Sequence, residues 1–446
     1  MTHTNGKNAS EDDEYIVNNS SEITAGETIG WTDKILSSLP AFKSRNYTLY
    51  FIGQLTSMVG TWLQIVAEGW LIFQLSHSAF YVGLSAAAST LPSLFLSLIG
   101  GVIVDRFSKK KVILITQACS MILAFLLGIL TITNTITVWH IIILAFLLGI
   151  VHAVDIPARQ AYVSELVDDK KLLSSAIALN STIYNSARII GPTIAGLLIT
   201  IFGLGMAFIF NGISYLAVIT ALFFIKTKVL PPKVHPNPIK AIREGLSYAF
   251  SHPTIKSLLI ATAIISTFGW SYSTLMPVIA SDVFHLDAAG LGYLYAATGI
   301  GALLATMLIS AYSHKLNPYL FIIGCDLLFA IGLLFFTLTT SVYLAYIFLF
   351  VVGFSLVGTF AMTNTTIQHS VSDHMRGRVM SIYALSFMGL APLGNFEIGY
   401  VAEKFGSQFA IQISAVVIFI FGIYLYMSLK EVKKDQEVYN KKNISM

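Results

Sequence analysis

Apolar residues in this chain fall into long runs rather than alternating with polar ones. Such runs, separated by short polar breaks, occur near 47–75, 80–104, 112–134, 138–156, 175–201 and 204–225. After a polar interval they resume near 257–281, 288–311, 318–339, 341–364, 379–402 and 407–429. A helix needs roughly 20 apolar residues to cross about 30 Å of hydrocarbon. The pattern therefore predicts an all-α polytopic membrane protein with 12 transmembrane helices. Strands of a membrane barrel would alternate apolar and polar positions over about ten residues, and the run from Ile141 to Ile150 does not.

Composition agrees. Apolar residues make up 55% of the 446 and charged residues only 11%, against roughly 25% charged in a soluble domain. A cytosolic enzyme, a secreted disulfide scaffold and a nucleic-acid-binding module are excluded. Cys119 and Cys325 lie in separate apolar runs and form neither a disulfide framework nor a metal-ligand spacing. The first 45 residues are polar, with the acidic run Glu11-Asp12-Asp13-Glu14, and read as a flexible cytoplasmic tail. They show no basic region, apolar core or cleavage site of a removable signal peptide.

Basic residues set the orientation. With a cytoplasmic amino terminus, 25 of the 27 Lys and Arg residues fall in the tails and inward loops. That bias is the positive-inside rule, so both termini are expected in the cytoplasm and the net charge of +4 is topological. The division expected is a tail over 1–45, a six-helix bundle over 46–226, a cytoplasmic linker over 227–256, a second six-helix bundle over 257–430 and a tail over 431–446. In the linker, Pro231, Pro232, Pro236 and Pro238 keep the start extended. Ile239, Ile242, Leu246 and Phe250 then recur at helical spacing, either as an amphipathic helix on the membrane surface or as a plain linker.

The two bundles look alike. Gly191, Gly196 and Phe202-Gly203 match Gly394, Gly399 and Phe405-Gly406 at an offset of 203. Asp105-Arg106 matches His314-Lys315 at an offset of 209. Two six-helix units in the same orientation are the parallel repeat of a rocking-bundle transporter.

The stretch from Gly101 through Asp105-Arg106 and Ser108 to Lys109-Lys110-Lys111 resembles the loop signature of the major facilitator superfamily, with Ser108 where glycine is usual. Further on come Pro157-Ala-Arg159-Gln160, Ala178-Leu179-Asn180-Ser181 and Ala187-Arg188-Ile-Ile-Gly191-Pro192. The second half has Gln368, Arg376-Gly377-Arg378-Val379 and Pro392-Leu393-Gly394. Together they resemble the exporter branch that holds the enterobactin exporters and the macrolide efflux proteins. The resemblance implies the major facilitator fold, with alternating access and outward transport. It implies a conformational gate of Gly101, Asp105, Arg106, Lys109, Asp155, Arg376 and Arg378, which latches the outward-facing state as Asp105 docks at the start of the eleventh span and Lys109 pairs with Asp155. It also implies an antiporter-type bend at Gly191, Pro192 and Gly196, where Ala195 replaces one glycine of the usual pair.

Few ionisable groups interrupt the spans: Glu68, Arg188, Asp326 and Glu397, with Asp155 and Asp282 at helix ends. A charge at the bilayer centre costs at least about 2.5–3.5 kcal/mol, so these groups face the bundle interior, are paired, or are protonated. Glu68 is the expected proton site, with Arg188 competing for it or receiving an anionic cargo; structural pairing of the two is the alternative. Glu397 is a second candidate for proton coupling, and Asp326 reads as structural. His140, His152 and His369 are lone histidines without metal spacing.

Rings and amides in the spans suit an amphipathic cargo held by stacking and hydrogen bonds. The candidates are Asn180, Tyr184, Asn185, Trp270, Tyr272, Asn364, Tyr383 and Phe387. The function expected is a secondary active exporter, a proton antiporter in a bacterial inner membrane, working as a monomer without cofactor, ATP or nucleic acid. Siderophore-like chelators are preferred as cargo over macrolides and other drugs, and a lysophospholipid flippase is the rival. No phosphate-binding G-x-x-x-x-G-K-[ST] loop is present, and nothing points to an enzyme.

Overall fold

A computed structural model describes residues 39–167, 169–226, 238–313 and 315–444. The proposed amino-terminal tail up to residue 38, Pro231, Pro232, Pro236 and His314 lie outside the described residues, as do the side chains of Asn185, Ile239 and Ile242. The described residues form helices and no strands. The first half comprises α1 (Arg45–Ser76), α2 (Ala79–Arg106), α3 (Lys109–Ile132), α4 (Val138–Leu166), α5 (Leu173–Phe202) and α6 (Leu204–Phe224). A short helix, α7 (Pro238–Ser251), precedes the second half. That half comprises α8 (Pro253–Asp282), α9 (Ala288–Tyr312), α10 (Pro318–Leu338), α11 (Val342–Ser370), α12 (His374–Phe405) and α13 (Ser407–Ile444).

Eleven of these helices are long and apolar enough to cross a membrane. The twelfth, α1, has 32 residues and is ample in length, but Gln54, Gln64 and Glu68 make it more polar. Breaks between helices follow local chemistry. Ser78, Asp287 and Asn317 cap the starts of α2, α9 and α10 by accepting backbone amides. Thr137 and His140 form a reciprocal capping box on α4.

Two pairs of left-handed residues mark the repeat. Gly203 (φ 81°) and Gly406 (φ 94°) end α5 and α12, where a side chain would be strained. His77 (φ 48°) and His285 (φ 52°) turn the chain after α1 and α8. Equivalent helices in the two halves thus end on equivalent backbone turns.

Two spans are not continuous α-helix. In α8 a π-turn over Ile265–Gly269 leads into a 3-10 stretch over Trp270–Leu275. In α12 a π-turn spans Leu385–Gly389. A π-turn frees a backbone carbonyl and is often found at functional sites. Here the two are joined, because Ser266 Oγ donates to the Phe387 carbonyl. Gly394 brings α12 against the Thr267 carbonyl of α8, where a Cβ would have no room.

Between the halves, α2 packs on α12 and α5 on α9. Both contacts use glycine. A Cβ on Gly83 would lie 2.7 Å from Gly399 Cα, and one on Gly292 would lie 3.1 Å from Gly196 Cα. These contacts sit at the start of α2, the end of α5, the start of α9 and the end of α12, remote from both termini. At the opposite end α4 and α11 are not packed together, nor does the start of α12 pack on α2. The halves therefore close at one end and part at the other.

The short helix α7 lies against α12. Ala249 is fully buried with Val379 and Ile382, Gly245 abuts the Arg378 backbone, and Glu244 sits 2.7 Å from Arg378. Leu246 and Phe250, expected on its apolar face, are exposed.

Candidate functional site

A cavity of about 400 Å³ lies between the halves, below the closed end. Polar positions on several helices converge on it. From α1 come Thr61, Gln64 and Glu68, which share one face at helical spacing. From α2 come Ser85, Ser89 and Ser93, one turn apart. The interrupted part of α8 supplies Trp270, Tyr272, Ser273 and Thr274, and α5 supplies Arg188 and Pro192.

Local partners fix these groups. Glu68 Oε1 accepts from Ser85 Oγ at 3.0 Å. Gln64 Oε1 accepts from Asn211 Nδ2 at 2.6 Å. Tyr295 donates its hydroxyl to the Ser273 carbonyl at 2.9 Å, which also accepts the Met276 amide at the end of the 3-10 stretch. Thr274 donates to Asn395 Oδ1 at 2.9 Å, tying α8 to α12.

Arg188 is the cation of the cavity. Its guanidinium carbon stands 4.4 Å from the Trp270 ring centroid, within range of a cation–π contact. Among the described residues it has no carboxylate within ion-pair distance, and neither does Glu68 a cation. The two line the same cavity without pairing, so the structural-pair alternative is not what the fold adopts.

Trp270 and Tyr272 line the cavity as expected. Phe387 and Tyr383 stand behind them: Phe387 meets Trp270 edge-on at 5.9 Å, and Tyr383 donates to the Phe360 carbonyl at 3.0 Å. Asn180, Tyr184 and Asn364 do not line it. Tyr184 packs near Met58 and Ile183, and Asn364 accepts from Gln368 at 2.6 Å. Glu397 is also absent from the lining, half-buried with Oε2 unpartnered. Asp326 is buried on α10, where its Oδ1 accepts from Thr359 at 2.7 Å.

The gate residues are arranged differently from the implied pattern. Lys109 pairs with Glu165 at 2.6 Å rather than with Asp155. Asp155 is 1% exposed, and its Oδ2 lies 2.5 Å from Arg159 Nε. Thr116 and Gln117 donate to its Oδ1 at 2.5 and 3.1 Å. The reason is register. In the antiparallel pair of α3 and α4, the start of α3 is level with the end of α4, and Asp155 lies two turns deeper. Asp105 has no hydrogen bond or ion pair among the described residues, Arg106 is exposed, and neither reaches the start of α12. A Cβ on Gly101 would meet nothing within 4 Å. Arg376 Nε donates to the Gln368 carbonyl at 3.2 Å, and Arg378 holds Glu244. Pro192 lies within an unbroken α5, where Gly191 faces Trp62 of α1 and Gly196 faces α9.

The serine row of α2, Gln64, Tyr295 and Thr298, none of them a candidate from the sequence, also line the cavity, as does His152, read there as a lone histidine. The serines recur every fourth residue, a signal present but weak, since small hydroxyl residues are ordinary in membrane helices.

Known proteins fit this architecture. The model of the family described as "Transmembrane secretion effector" matches residues 36–445. The staphyloferrin A transporter of Staphylococcus aureus is 28% identical over 403 residues, covering 88% of this chain and 98% of the relative. The enterobactin exporter EntS of Shigella flexneri is 26% identical over 406 residues, covering 90% and 94%. Among solved structures, a bacterial homologue of the human lysosomal transporter Spinster, inward-facing and unoccupied, superimposes with a TM-score of 0.72 at 15% identity over 88% of this chain and 98% of that one. The POT family transporter PepTSo gives 0.71 at 14% identity, covering 88% and 99%. The chain belongs to the transmembrane secretion effector family, and it is a multi-pass membrane transporter of the major facilitator superfamily, not an enzyme.

Proposed function

We propose that the protein exports an anionic, amphipathic chelator of the siderophore class from a bacterial cytoplasm, in exchange for protons, by alternating access. Arg188 carries this reading: it is a membrane-interior cation held on Trp270, in a cavity where Glu68, the one lining carboxylate among the described residues, does not pair with it. An unpaired charge at such depth is costly and is matched best by an acidic group on the cargo. The hydroxyls of α2 and the rings of α8 suit the rest of a polar, ring-bearing molecule. The named activities of the staphyloferrin A and enterobactin relatives support the same class.

Both termini face the cytoplasm in this reading, because the basic residues cluster at that end. The structure is then the inward-open state, loaded from the cytoplasm. Glu68 takes the returning proton when the cavity opens outward, with Glu397 a subsidiary site, and the protein works as a monomer. The gate of Gly101, Asp105, Arg106, Lys109, Asp155, Arg376 and Arg378 closes the cytoplasmic end in the opposite state, with the bend at Gly191, Pro192 and Gly196 accommodating the change. Asp105 then reaches the start of α12, where its charge meets the positive end of a helix dipole.

A deletion strain grown under iron limitation tests the cargo. Extracellular chelator should fall, intracellular chelator should rise, and complementation should reverse both. Unchanged chelator in the medium would overturn the siderophore reading and direct attention to drug or lipid efflux.

A further inference from the structure

The two halves place a buried carboxylate at the same helix–helix contact, but only one of them neutralises it internally. The starts of α3 and α10 are 209 residues apart, and those of α4 and α11 are 204 apart. These offsets carry Gln117 to Asp326, Asp155 to Thr359 and Arg159 to Thr363. In the first half Gln117 donates to Asp155 at 3.1 Å. In the second half Thr359 donates to Asp326 at 2.7 Å. The contact is kept while the acid has changed helices.

The cation has not been kept. Arg159 lies 2.5 Å from Asp155, whereas its counterpart is Thr363. Asp326 is 1% exposed and has no ion-pair partner among the described residues. Its Oδ2 is buried without a hydrogen-bond partner, and so are Ser355 Oγ and Thr363 Oγ1. Ser355, Thr359 and Thr363 recur every fourth residue, along one face of α11.

Neither α11 nor α13, the helices beside Asp326, supplies a charge at this point. Before His369 in its last turn, α11 has no Asp, Glu, Lys, Arg or His, and α13 has none within Ser407–Ser428. Where α13 meets this point it presents Gly422, whose added Cβ would stand 3.7 Å from Asp326 Cβ. Tyr343, Tyr424 and Tyr426 are exposed, and Tyr346 is more than three turns from Thr359. The nearest titratable neighbour is the Cys325 thiol, which faces Gly358.

An unpaired carboxylate this deep is too costly to persist in an apolar interior. We propose that Asp326 binds a monovalent cation from solution, a proton or sodium, which does in the second half what Arg159 does in the first. The orphaned Oδ2 of Asp326 is the acceptor available to it. The site lies outside the central cavity and its occupancy does not depend on the cargo, so it stands or falls apart from the siderophore reading.

Infrared difference spectroscopy of the purified protein in lipid, perfused from acidic to alkaline buffer, reads the proton directly. A carbonyl band of a buried protonated carboxyl that disappears in Asp326→Asn identifies the proton as the ligand. Binding of radioactive sodium that Asp326→Asn loses, with no such band in the parent, identifies sodium instead. Thr359→Val keeps the acid and removes its hydrogen bond, so it should shift the band or weaken sodium binding several-fold. A parent protein and an Asp326→Asn variant that match in both readouts would overturn the proposal. So would a Thr359→Val protein that changes neither.

Discussion

Glu403, near the end of α12, caps the first turn of α2 across the boundary between the halves. Its Oε2 accepts from Ser78 Oγ at 2.8 Å and from the Phe80 amide at 3.1 Å. Ser78 Oγ in turn accepts the Tyr81 amide, so one carboxylate completes the cap of a helix in the other half. Phe80 and Phe396 meet edge-on at 5.9 Å beside it. Loss of a helix cap costs about 0.5–2 kcal/mol. Glu403→Ala should therefore raise the population open at this end by about tenfold, and Glu403→Gln by less. Labelling of a cysteine placed at Ser89, with an impermeant reagent applied from the outside, would register the change. Equal labelling of Glu403→Ala and its parent would remove Glu403 from the closing contact.

Arg188 should be sensitive to shape as well as charge. A charge-assisted hydrogen bond is worth about 1.5–3 kcal/mol, so Arg188→Ala should weaken binding of an anionic cargo by about 10- to 100-fold. Arg188→Lys keeps the charge but loses the planar contact with Trp270, and should fall between the two. Binding titrations on the purified protein with the chelator recovered from the medium would order the three. A Lys variant equal to the parent would leave the ring with no part in positioning.

Glu68→Gln should separate movement of the cargo from its driving force. Gln can still accept from Ser85, so the cavity keeps its shape. In vesicles the variant should exchange cargo at equilibrium and lose acceleration by an imposed pH gradient. Full acceleration in the variant would exclude Glu68 as the proton site.

The two ion pairs at α4 should differ in stability. Asp155–Arg159 is almost fully buried, and removing one partner of such a pair typically costs about 3–5 kcal/mol. In the pair of Lys109 with Glu165 the side chains are 21% and 6% exposed, so this partly buried pair should be worth less than the buried one, though more than the about 0–1 kcal/mol of a surface pair. Arg159→Ala should lower the thermal midpoint in detergent by several degrees, and Lys109→Ala should lower it by clearly less. Similar shifts in the two variants would contradict the difference in burial.

Most of the fold is legible in the chain. Unbroken apolar runs locate the twelve spans, and the paired Phe-Gly turns at Gly203 and Gly406 announce the repeat. The helix ends are less legible. The fourth run was expected to stop near residue 156, yet α4 continues to Leu166. The buried ion pair of Asp155 with Arg159 lets charged residues remain inside the helix. At the site, the rare charges and bulky rings stand out against an apolar background, which made Glu68, Arg188, Trp270 and Tyr272 visible. The serines of α2 and the cap at Glu403 do not stand out. The first are ordinary residues made relevant by convergence, and the second joins positions more than 300 residues apart.

The glycine contacts at the closed end make it a bearing rather than a clasp. Side chains that interlock must change rotamer and withdraw before two surfaces separate. Gly83 against Gly399 and Gly196 against Gly292 bring backbone to backbone with nothing to withdraw. Apolar side chains of both halves pack around these glycines, and the polar fastening lies at the margin, in Glu403 beside the paired rings of Phe80 and Phe396. Smooth glycine surfaces fastened at the edge let one half roll on the other, with the polar contacts at the margin adding to the resistance of the apolar packing.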